Sequence, residues 1–322
     1  MSMNKTLNAL QFSDLYLCLK GGEPPHYRGS MAGKAQHPNI GIDADYEQDI
    51  EQLKQHILNH ITDDRSIALY DGMRLRVAFI NAANGQKWVA LRRVKDKPLA
   101  LASLGLPVAL IPHLQKLGSR GGGLILICGA TAQGKTTTGC SLLVDYLEQY
   151  GGVGFTIEDP VEYDLAGRHG DSGFCYQVEV LHDQEWADAL VNGLRCHPRY
   201  IFIGEVCTPD IANHLLRAAT SGHIVIATMH AGSIFEGIEG LLQLAEQRIG
   251  DRAKQLLAAS FTGIIHQELG QFGLKARFLI ADNVGTHSVT IRHMLRENKI
   301  GQIASVVDQQ QALLALNGQL FR

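Results

Sequence analysis

The chain has 322 residues, a length sufficient for two domains that each bury a hydrophobic core. Its net charge of −3, with 19% charged residues, shows no basic excess, so we expect no nucleic-acid partner. The six cysteines lack C-x-x-C spacing and are typical of reduced thiols in a cytosolic protein, and we expect no structural metal. No run approaches the roughly 20 apolar residues of a membrane span, and the first ten residues lack a signal-peptide core. We therefore expect a cytoplasmic protein without a transmembrane segment.

The first third of the chain predicts a small α+β domain over residues 1–97. Apolar residues at helical spacing predict a helix over 44–62. Strict alternation at 74–79 and 88–94 predicts two strands joined by a hairpin turn at 81–85.

A connection rich in lysine and proline follows this domain. We place a linker or hinge at residues 98–107 and a second domain at 108–322. Pro107 is expected to open a helix that ends at Leu117.

The second domain alternates strands and helices, which predicts an α/β fold with a doubly wound, mainly parallel sheet. The last fifty or so residues read as mainly helical. The predicted strands are 124–128, 153–157, 200–203, 224–228 and 276–281, and the predicted helices are 135–150, 186–194 and 209–220.

The most informative segment follows the first strand of this domain and reads G-x4-G-K-T. A loop of this kind, between a strand and a helix, places backbone N–H groups around a phosphate. The lysine binds the β- and γ-phosphates, and the threonine hydroxyl binds Mg²⁺. The alternative is a glycine-rich turn that only caps the helix. We predict nucleotide binding by Gly129, Ala130, Thr131, Ala132, Gln133, Gly134, Lys135, Thr136 and Thr137.

Acidic residues follow two other predicted strands. In a doubly wound sheet, ligands bind beyond the carboxyl ends of the strands. Glu205, at the end of an apolar strand, is a candidate ligand of Mg²⁺ or of its water shell. One of Glu158, Asp159 or Glu162 is a candidate to orient or deprotonate the attacking water. The alternative is that each acid caps a helix or faces solvent. The two histidines that flank the next strand are weaker candidates, because a lone histidine there is usually structural.

Several motifs in order resemble the secretion ATPase superfamily of bacterial type II and type IV systems, with the strongest likeness to type IV pilus retraction ATPases. TIEDPVEY at 156–163 is similar to the family's acidic box, FIGEV at 202–206 to its Walker B strand, and SGHIVIATMH at 221–230 to its histidine box. TIRHMLRENKI at 290–300 is similar to the C-terminal helix motif of retraction ATPases.

The resemblance implies a RecA-like P-loop NTPase domain after a PAS-like N-terminal domain, with ATP and Mg²⁺ as ligands. It implies Glu162 as catalytic base, Glu205 as the Walker B acid that joins Thr136 at Mg²⁺, His230 at the catalytic site and His223 in coupling. It further implies a homo-hexameric ring that acts at the inner membrane of a bacterium through a platform protein. The candidate phosphate-contacting arginines are Arg74, Arg76, Arg92, Arg93, Arg195 and Arg217.

Three departures from the family pattern keep other interpretations open. The Walker B strand continues Val206-Cys207-Thr208 without the usual arginine and aspartate, and Val178 and Ala231 replace an arginine and a threonine. These changes are typical of a divergent branch, such as a conjugation or type IVB secretion ATPase, or of a slow accessory subunit of a ring. A nucleic-acid motor and a small-molecule kinase or GTPase remain weaker alternatives.

Overall fold

A computed structural model provides the structure of this protein. It describes residues 5–29, 40–61, 66–182, 184–270, 273–281 and 286–320, with side chains at 286 and 287 excepted. Thr62, the last residue of the predicted first helix, lies outside these ranges. The chain divides into two compact units, Met1–Asp96 and Lys97–Arg322, which are described separately below.

The first unit is a six-stranded antiparallel sheet with one α-helix. The sheet order is β3-β2-β1-β6-β5-β4, and α1 (Glu47–His60) packs on one face. The hairpin predicted at 81–85 joins β5 and β6, and the α-helix predicted from 44 begins three residues later, after a 3-10 turn. The strands are β1 (Phe12–Lys20), β2 (His26–Gly29), β3 (Ile40–Gly41), β4 (Ile67–Tyr70), β5 (Met73–Asn81) and β6 (Lys87–Arg93).

The core of this unit follows from the alternation in the sequence. Alternate residues are buried at Met73, Leu75 and Val77 of β5 and at Val89 and Leu91 of β6, since a strand presents alternate side chains to opposite faces. These side chains meet the apolar stripe of α1, formed by Ile50, Leu53 and Ile57. The α+β character is as predicted, whereas the PAS-like likeness stays a prediction.

The second unit contains an eight-stranded sheet of order β14-β13-β7-β12-β11-β8-β10-β9. The six inner strands run parallel, and β14 and β9 are antiparallel edges. The predicted mainly parallel α/β sheet is confirmed. Its strands are β7 (Gly123–Cys128), β8 (Gly152–Glu158), β9 (Gly167–His169), β10 (Gly173–Glu179), β11 (Tyr200–Ile203), β12 (Ile224–Met229), β13 (Phe261–Gly270) and β14 (Gly273–Ile280).

Helices cover both faces of this sheet. Alternate residues of β7 enter two different cores, with Leu124 and Leu126 on one side and Ile125 and Ile127 on the other. A strand buried on both faces reads as a continuous apolar run, which is what the sequence shows here. The helices are α2 (Ile111–Leu117), α3 (Lys135–Tyr150), α4 (Glu185–Leu194), α5 (Pro209–Thr220), α6 (Ile234–Ile249), α7 (Arg252–Ser260), α8 (Thr286–Arg296) and α9 (Ile303–Asn317).

The structure corrects three local predictions. Strands β9, β10 and β13 were not predicted, and β14, predicted within a parallel series, is antiparallel. β13 escaped detection because both its faces are buried over Phe261–Gln267, so no period-two pattern appears. The predicted helix from Pro107 begins as a 3-10 turn at Val108, and the α-helix starts only at Ile111.

Residues 98–107, predicted as a linker, belong to the second unit. Leu101 and Leu106 are buried in its core, and the Ser141 hydroxyl donates a hydrogen bond to the Leu99 carbonyl at 2.7 Å. Within the described ranges, no helix is long and apolar enough to cross a membrane.

Close packing between α3 and β11 gives a stability prediction. A Cβ atom at Gly139 would lie 2.4 Å from the Phe202 ring, whereas a Cβ at the exposed Gly301 would meet nothing within 4 Å. Gly139→Ala should therefore lower the free energy of unfolding by about 1–3 kcal/mol, the usual cost of overpacking. The matched change Gly301→Ala should stay within about 0.5 kcal/mol of the parent. Urea unfolding of both variants measures the difference, and equal effects would contradict the packing argument.

Candidate functional site

The loop between β7 and α3 has the geometry of an anion cradle. Gly134 has φ of +78°, a left-handed conformation that turns the chain into the helix at Lys135. At Gly129 a Cβ would lie 2.5 Å from the Gln267 carbonyl oxygen, so only glycine fits there. The first turn of α3 then directs its free N–H groups and the positive end of its dipole toward the loop.

Lys135 is held inside this loop rather than extended into solvent. Its side chain is buried, and Nζ donates to the Ala130 carbonyl oxygen at 2.8 Å and to Nδ1 of His230 at 3.3 Å. Burial lowers the pKa of Lys135, while the negative charges of Glu205 and Glu162 act in the opposite direction. The ammonium group is therefore a partly desolvated charge that an anion would stabilise.

A cavity of about 240 Å³ opens beside the lysine at the carboxyl edge of the sheet. It brings together residues from the ends of β7, β8, β11 and β12, as expected for a doubly wound fold. Its lining comprises Thr131, Ala132, Lys135, Thr136, Glu158, Asp159, Pro160, Glu162, Gly204, Glu205, Thr228 and His230.

His230 links the lysine to the acid after β11. Because an ammonium group only donates hydrogen bonds, Nδ1 of His230 must accept from Lys135, and the ring proton of a neutral imidazole then lies on Nε2. Nε2 is 3.3 Å from Oε1 of Glu205, a carboxylate that accepts this proton's hydrogen bond. Lys135, His230 and Glu205 thus form a chain across the cavity floor.

The two glutamates of the acidic segment differ in environment. Glu158 is 1% exposed, and its Oε1 accepts hydrogen bonds from Thr156 Oγ1 and Gln177 Nε2, both at 2.7 Å. Among the described residues, its Oε2 has no hydrogen-bond partner. Burial raises the pKa of Glu158 to about 7, despite those two hydrogen bonds, which lower it. Glu162 is exposed at the same cavity and is the acid with access to water.

The two threonines after Lys135 have different surroundings. Thr136 lines the cavity. The Thr137 hydroxyl instead shares a 2.8 Å hydrogen bond with the Tyr163 hydroxyl, which ties the first turn of α3 to the acidic segment. Thr136 is therefore the threonine whose side chain faces the acids.

The cavity has the donor set that Mg²⁺ prefers, namely carboxylate oxygens and a hydroxyl. In the described part of the chain, no three acidic, histidine or cysteine residues form a metal cage. The Thr136 and Glu205 oxygens nevertheless fit Mg²⁺, because this ion commonly takes one or two protein ligands and completes its shell with phosphates and water.

Three other predicted residues lie away from the cavity. His223 precedes β12 and therefore lies at the amino edge of the sheet, where Nδ1 donates to the Pro198 carbonyl at 2.6 Å. Arg195 is exposed at the end of α4, and Arg217 is exposed on α5, where it donates to Asn213 at 2.9 Å.

The predicted arginines of the first unit separate into two faces. Arg76 and Arg92 are cross-strand neighbours on β5 and β6, and Arg74 shares their face by alternation. Arg92 also pairs with Asp14 on β1 at 2.8 Å. Arg93 lies instead over the Phe12 ring, on the face that carries the core.

Gln177 is a site residue to which the sequence assigned no role. Its amide nitrogen donates to Glu158 Oε1 and, at 2.9 Å, to the Tyr163 carbonyl, and its oxygen accepts from the Leu165 N–H at 3.1 Å. The side chain thus holds the acidic segment against β10. The motif position of Gln177 was visible in the sequence, but its contacts depend on β10, which was not predicted.

Comparison with known proteins identifies the family of this chain. The profile of the family described as "Type II/IV secretion system protein" matches residues 57–315, so the chain belongs to this family, as its motifs predicted. It is 30% identical over 305 residues to the uncharacterized protein YggR of Escherichia coli, covering 93% of this chain and 89% of that one. It is 28% identical to the type IV pilus retraction ATPase PilT of Pseudomonas aeruginosa, covering 73% of this chain and 66% of that protein.

One solved structure extends this similarity to three dimensions. The crystal structure of the pilus retraction motor PilT with bound ADP superposes with a TM-score of 0.71 at 28% sequence identity. The match covers 96% of this chain and 90% of that one.

The raised pKa of Glu158 gives a pH-dependent stability prediction. Between its ordinary pKa of 4.5 and about 7, the folded protein retains a proton that the unfolded chain releases, so this group destabilises the fold as pH rises. Glu158→Gln keeps the acceptor for Thr156 and Gln177 and cannot ionise. It should therefore raise the free energy of unfolding at pH 8, by on the order of 3 kcal/mol at about 1.4 kcal/mol per pKa unit, and much less at pH 5. Denaturant titrations at both pH values measure this, and an equal change at both would contradict it.

Proposed function

We propose that this chain hydrolyses ATP with Mg²⁺ as the motor subunit of a type IV pilus or related secretion machine. The observation that carries this proposal is the cavity in which Lys135, Thr136 and the carboxylates of Glu162 and Glu205 meet beside a glycine-lined loop. Those are the parts that phosphoryl transfer to water needs: phosphate binding, a metal position and a proton acceptor. The named relatives in pilus retraction support the same conclusion.

The proposed reaction assigns each residue a task. The loop amides and Lys135 bind the β- and γ-phosphates. Mg²⁺, held by Thr136 and by Glu205 directly or through water, would supply positive charge to the phosphate oxygens. Glu162 orients a water molecule and accepts its proton as the water oxygen bonds to the γ-phosphorus. The bond to the bridging oxygen breaks, and ADP leaves with that electron pair.

His230 is proposed to respond to the nucleotide. His230 bridges Lys135 and Glu205, the two groups proposed to hold the γ-phosphate and the metal. A bound phosphate would compete with Nδ1 for the lysine and so release the imidazole. His223, at the other end of β12, is proposed to take part in coupling.

Family membership supports a proposal for the larger assembly. We propose a homo-hexameric ring with residues 98–107 as hinge, acting on the cytoplasmic side of a bacterial inner membrane through a platform protein. Domain motion driven by hydrolysis would power pilus retraction, assembly or substrate transport. The six candidate arginines, among them the shared face of Arg74, Arg76 and Arg92, are proposed to supply the phosphate contacts in the ring.

A second candidate is a slow accessory subunit that supports an active paralogue. The observation in its favour lies shortly after Glu205, where the exposed Cys207 and the α5 N-cap Thr208 stand in place of the family's arginine and aspartate. Steady-state turnover near zero with intact ATP binding would select this candidate.

The proton-acceptor role predicts the effect of one substitution. Glu162→Gln should lower the ATPase rate by about 10²–10⁴, the usual worth of a general base, and leave ATP affinity within about twofold. Its melting temperature should not change, because Glu162 is exposed. Lys135→Ala is the comparison variant and should lose ATP binding itself. A Glu162→Gln protein with parental turnover would show that another acid acts as the base.

The ring proposal predicts that nucleotide changes the molecular mass in solution. Light scattering after size exclusion should show about six subunits with Mg²⁺ and a non-hydrolysable ATP analogue, since ligand that binds an assembled interface favours assembly. The Lys135→Ala protein is the control and should not respond to the analogue. A monomer under both conditions would contradict the ring.

A further inference from the structure

Strand β13 extends past the end of its neighbour and runs beside the phosphate loop. The last parallel pair between β13 and β7 joins His266 to Cys128, where β7 ends. The following residues of β13, Gln267 to Gly270, therefore lie alongside the loop that starts at Gly129. This placement brings the buried side chain of Gln267 next to the phosphate loop.

Two glutamines join β13 to the loop in both directions. The Gln267 side chain is 1% exposed, and its Nε2 donates to the backbone carbonyl of Gln133 at 2.6 Å. In return, the side-chain oxygen of Gln133 accepts a hydrogen bond from the Leu269 N–H. We call this pair of contacts the glutamine clasp.

Two glycines of the loop, Gly129 and Gly134, lie close to Gln267. A Cβ at Gly129 would lie 2.5 Å from the Gln267 carbonyl oxygen, and a Cβ at Gly134 would lie 3.3 Å from Gln267 Nε2. Gln267 thus lies close to the loop at both glycines and is hydrogen-bonded to it at the Gln133 carbonyl. A loop held by the two bonds of the clasp loses fewer conformations when an anion binds, which strengthens binding without any contact to the ligand.

We propose that Gln267 is a positioning residue that preorganises the phosphate loop through the glutamine clasp. The inference depends on the nucleotide binding proposed above, since the ligand is the diphosphate shared by ADP and ATP. Gln267 touches the loop and not the phosphates, so it should affect the affinity for any nucleotide that the loop holds. It should not affect the chemical step.

A second buried glutamine provides a matched control. Gln310 on α9 is also 1% exposed, and it donates to the Ile280 carbonyl at 2.7 Å and accepts from the Ile280 N–H at 2.9 Å. It anchors β14, which is not adjacent to the loop strand β7. Gln310→Met therefore removes buried hydrogen bonds of the same kind at a distance from the phosphate loop.

The experiment compares Gln267→Met with Gln310→Met in the full chain. Methionine keeps the side-chain volume, and among the described residues the Gln267 side-chain oxygen has no hydrogen-bond partner, so the change tests the bond to Gln133. Isothermal titration should show ADP affinity about tenfold weaker in Gln267→Met, the factor expected for one buried hydrogen bond. The KM for ATP should rise by about the same factor, with kcat within about twofold. Gln310→Met should lower the melting temperature and leave ADP affinity at the parental value.

Each other outcome has a defined meaning. Parental ADP affinity in Gln267→Met, a fall in kcat at constant KM, or an equal loss of affinity in Gln310→Met would overturn the clasp. If Gln267→Met does not fold, Gln133→Ala replaces it. This change removes the bond to Leu269 together with the 3.5 Å contact from Gln133 Nε2 to the Thr131 carbonyl, and it should weaken ADP binding about threefold. Failure of the parent protein to bind ADP would instead refute the proposed function, and the clasp with it.

Discussion

The arrangement of the second unit depends on one constraint. The phosphate loop, with its backbone N–H groups and the buried Lys135, must be held between the fully buried strand β7 and the first turn of α3. β7 is buried on both faces, so its end cannot shift without disturbing two cores. Glycine is required at position 129 because the Gln267 carbonyl leaves no room for a Cβ atom. Glycine is favoured at position 134 because the backbone there is left-handed. Packing therefore fixes the conformation of the loop, and fixed dipoles are the condition under which an electrostatic site works best.

The charges around this cradle are unbalanced, because acidic side chains outnumber the single buried lysine. One desolvated ammonium group faces four acidic side chains across a small cavity. Close carboxylates and burial make ionisation costly, and Glu158 responds by holding its proton to about neutral pH. His230 lies between Lys135 and Glu205 and bridges the two side chains.

The structure shows what surrounds the residues that depart from the family pattern. Thr208, where the family has an aspartate, caps α5 by accepting a hydrogen bond from the Ile211 N–H. Val206, two residues earlier, is buried in the core, and its N–H donates to the Thr228 carbonyl at 2.9 Å, which anchors the end of β11. Val178, which replaces the family's arginine, likewise packs against the hydrophobic core. The cavity itself retains its lysine, threonine and acids. The substitutions thus fall on the supports of the site and not on its lining.

The sequence by itself determined the features that local geometry encodes. The G-x4-G-K-T spacing predicted the loop, the apolar runs predicted most of the parallel strands, and the order of motifs predicted the family. Only the tertiary structure decided which acid is buried and which is exposed, because Glu158 and Glu162 have the same local pattern and differ in their neighbours Gln177 and Thr156. The same holds for Gln267, which meets the loop across about 130 residues of sequence, and for His223, which the strand direction carries to the opposite edge of the sheet. Periodicity reports the faces of one element, whereas burial, pKa and contacts across the sheet arise from elements that are distant in the chain.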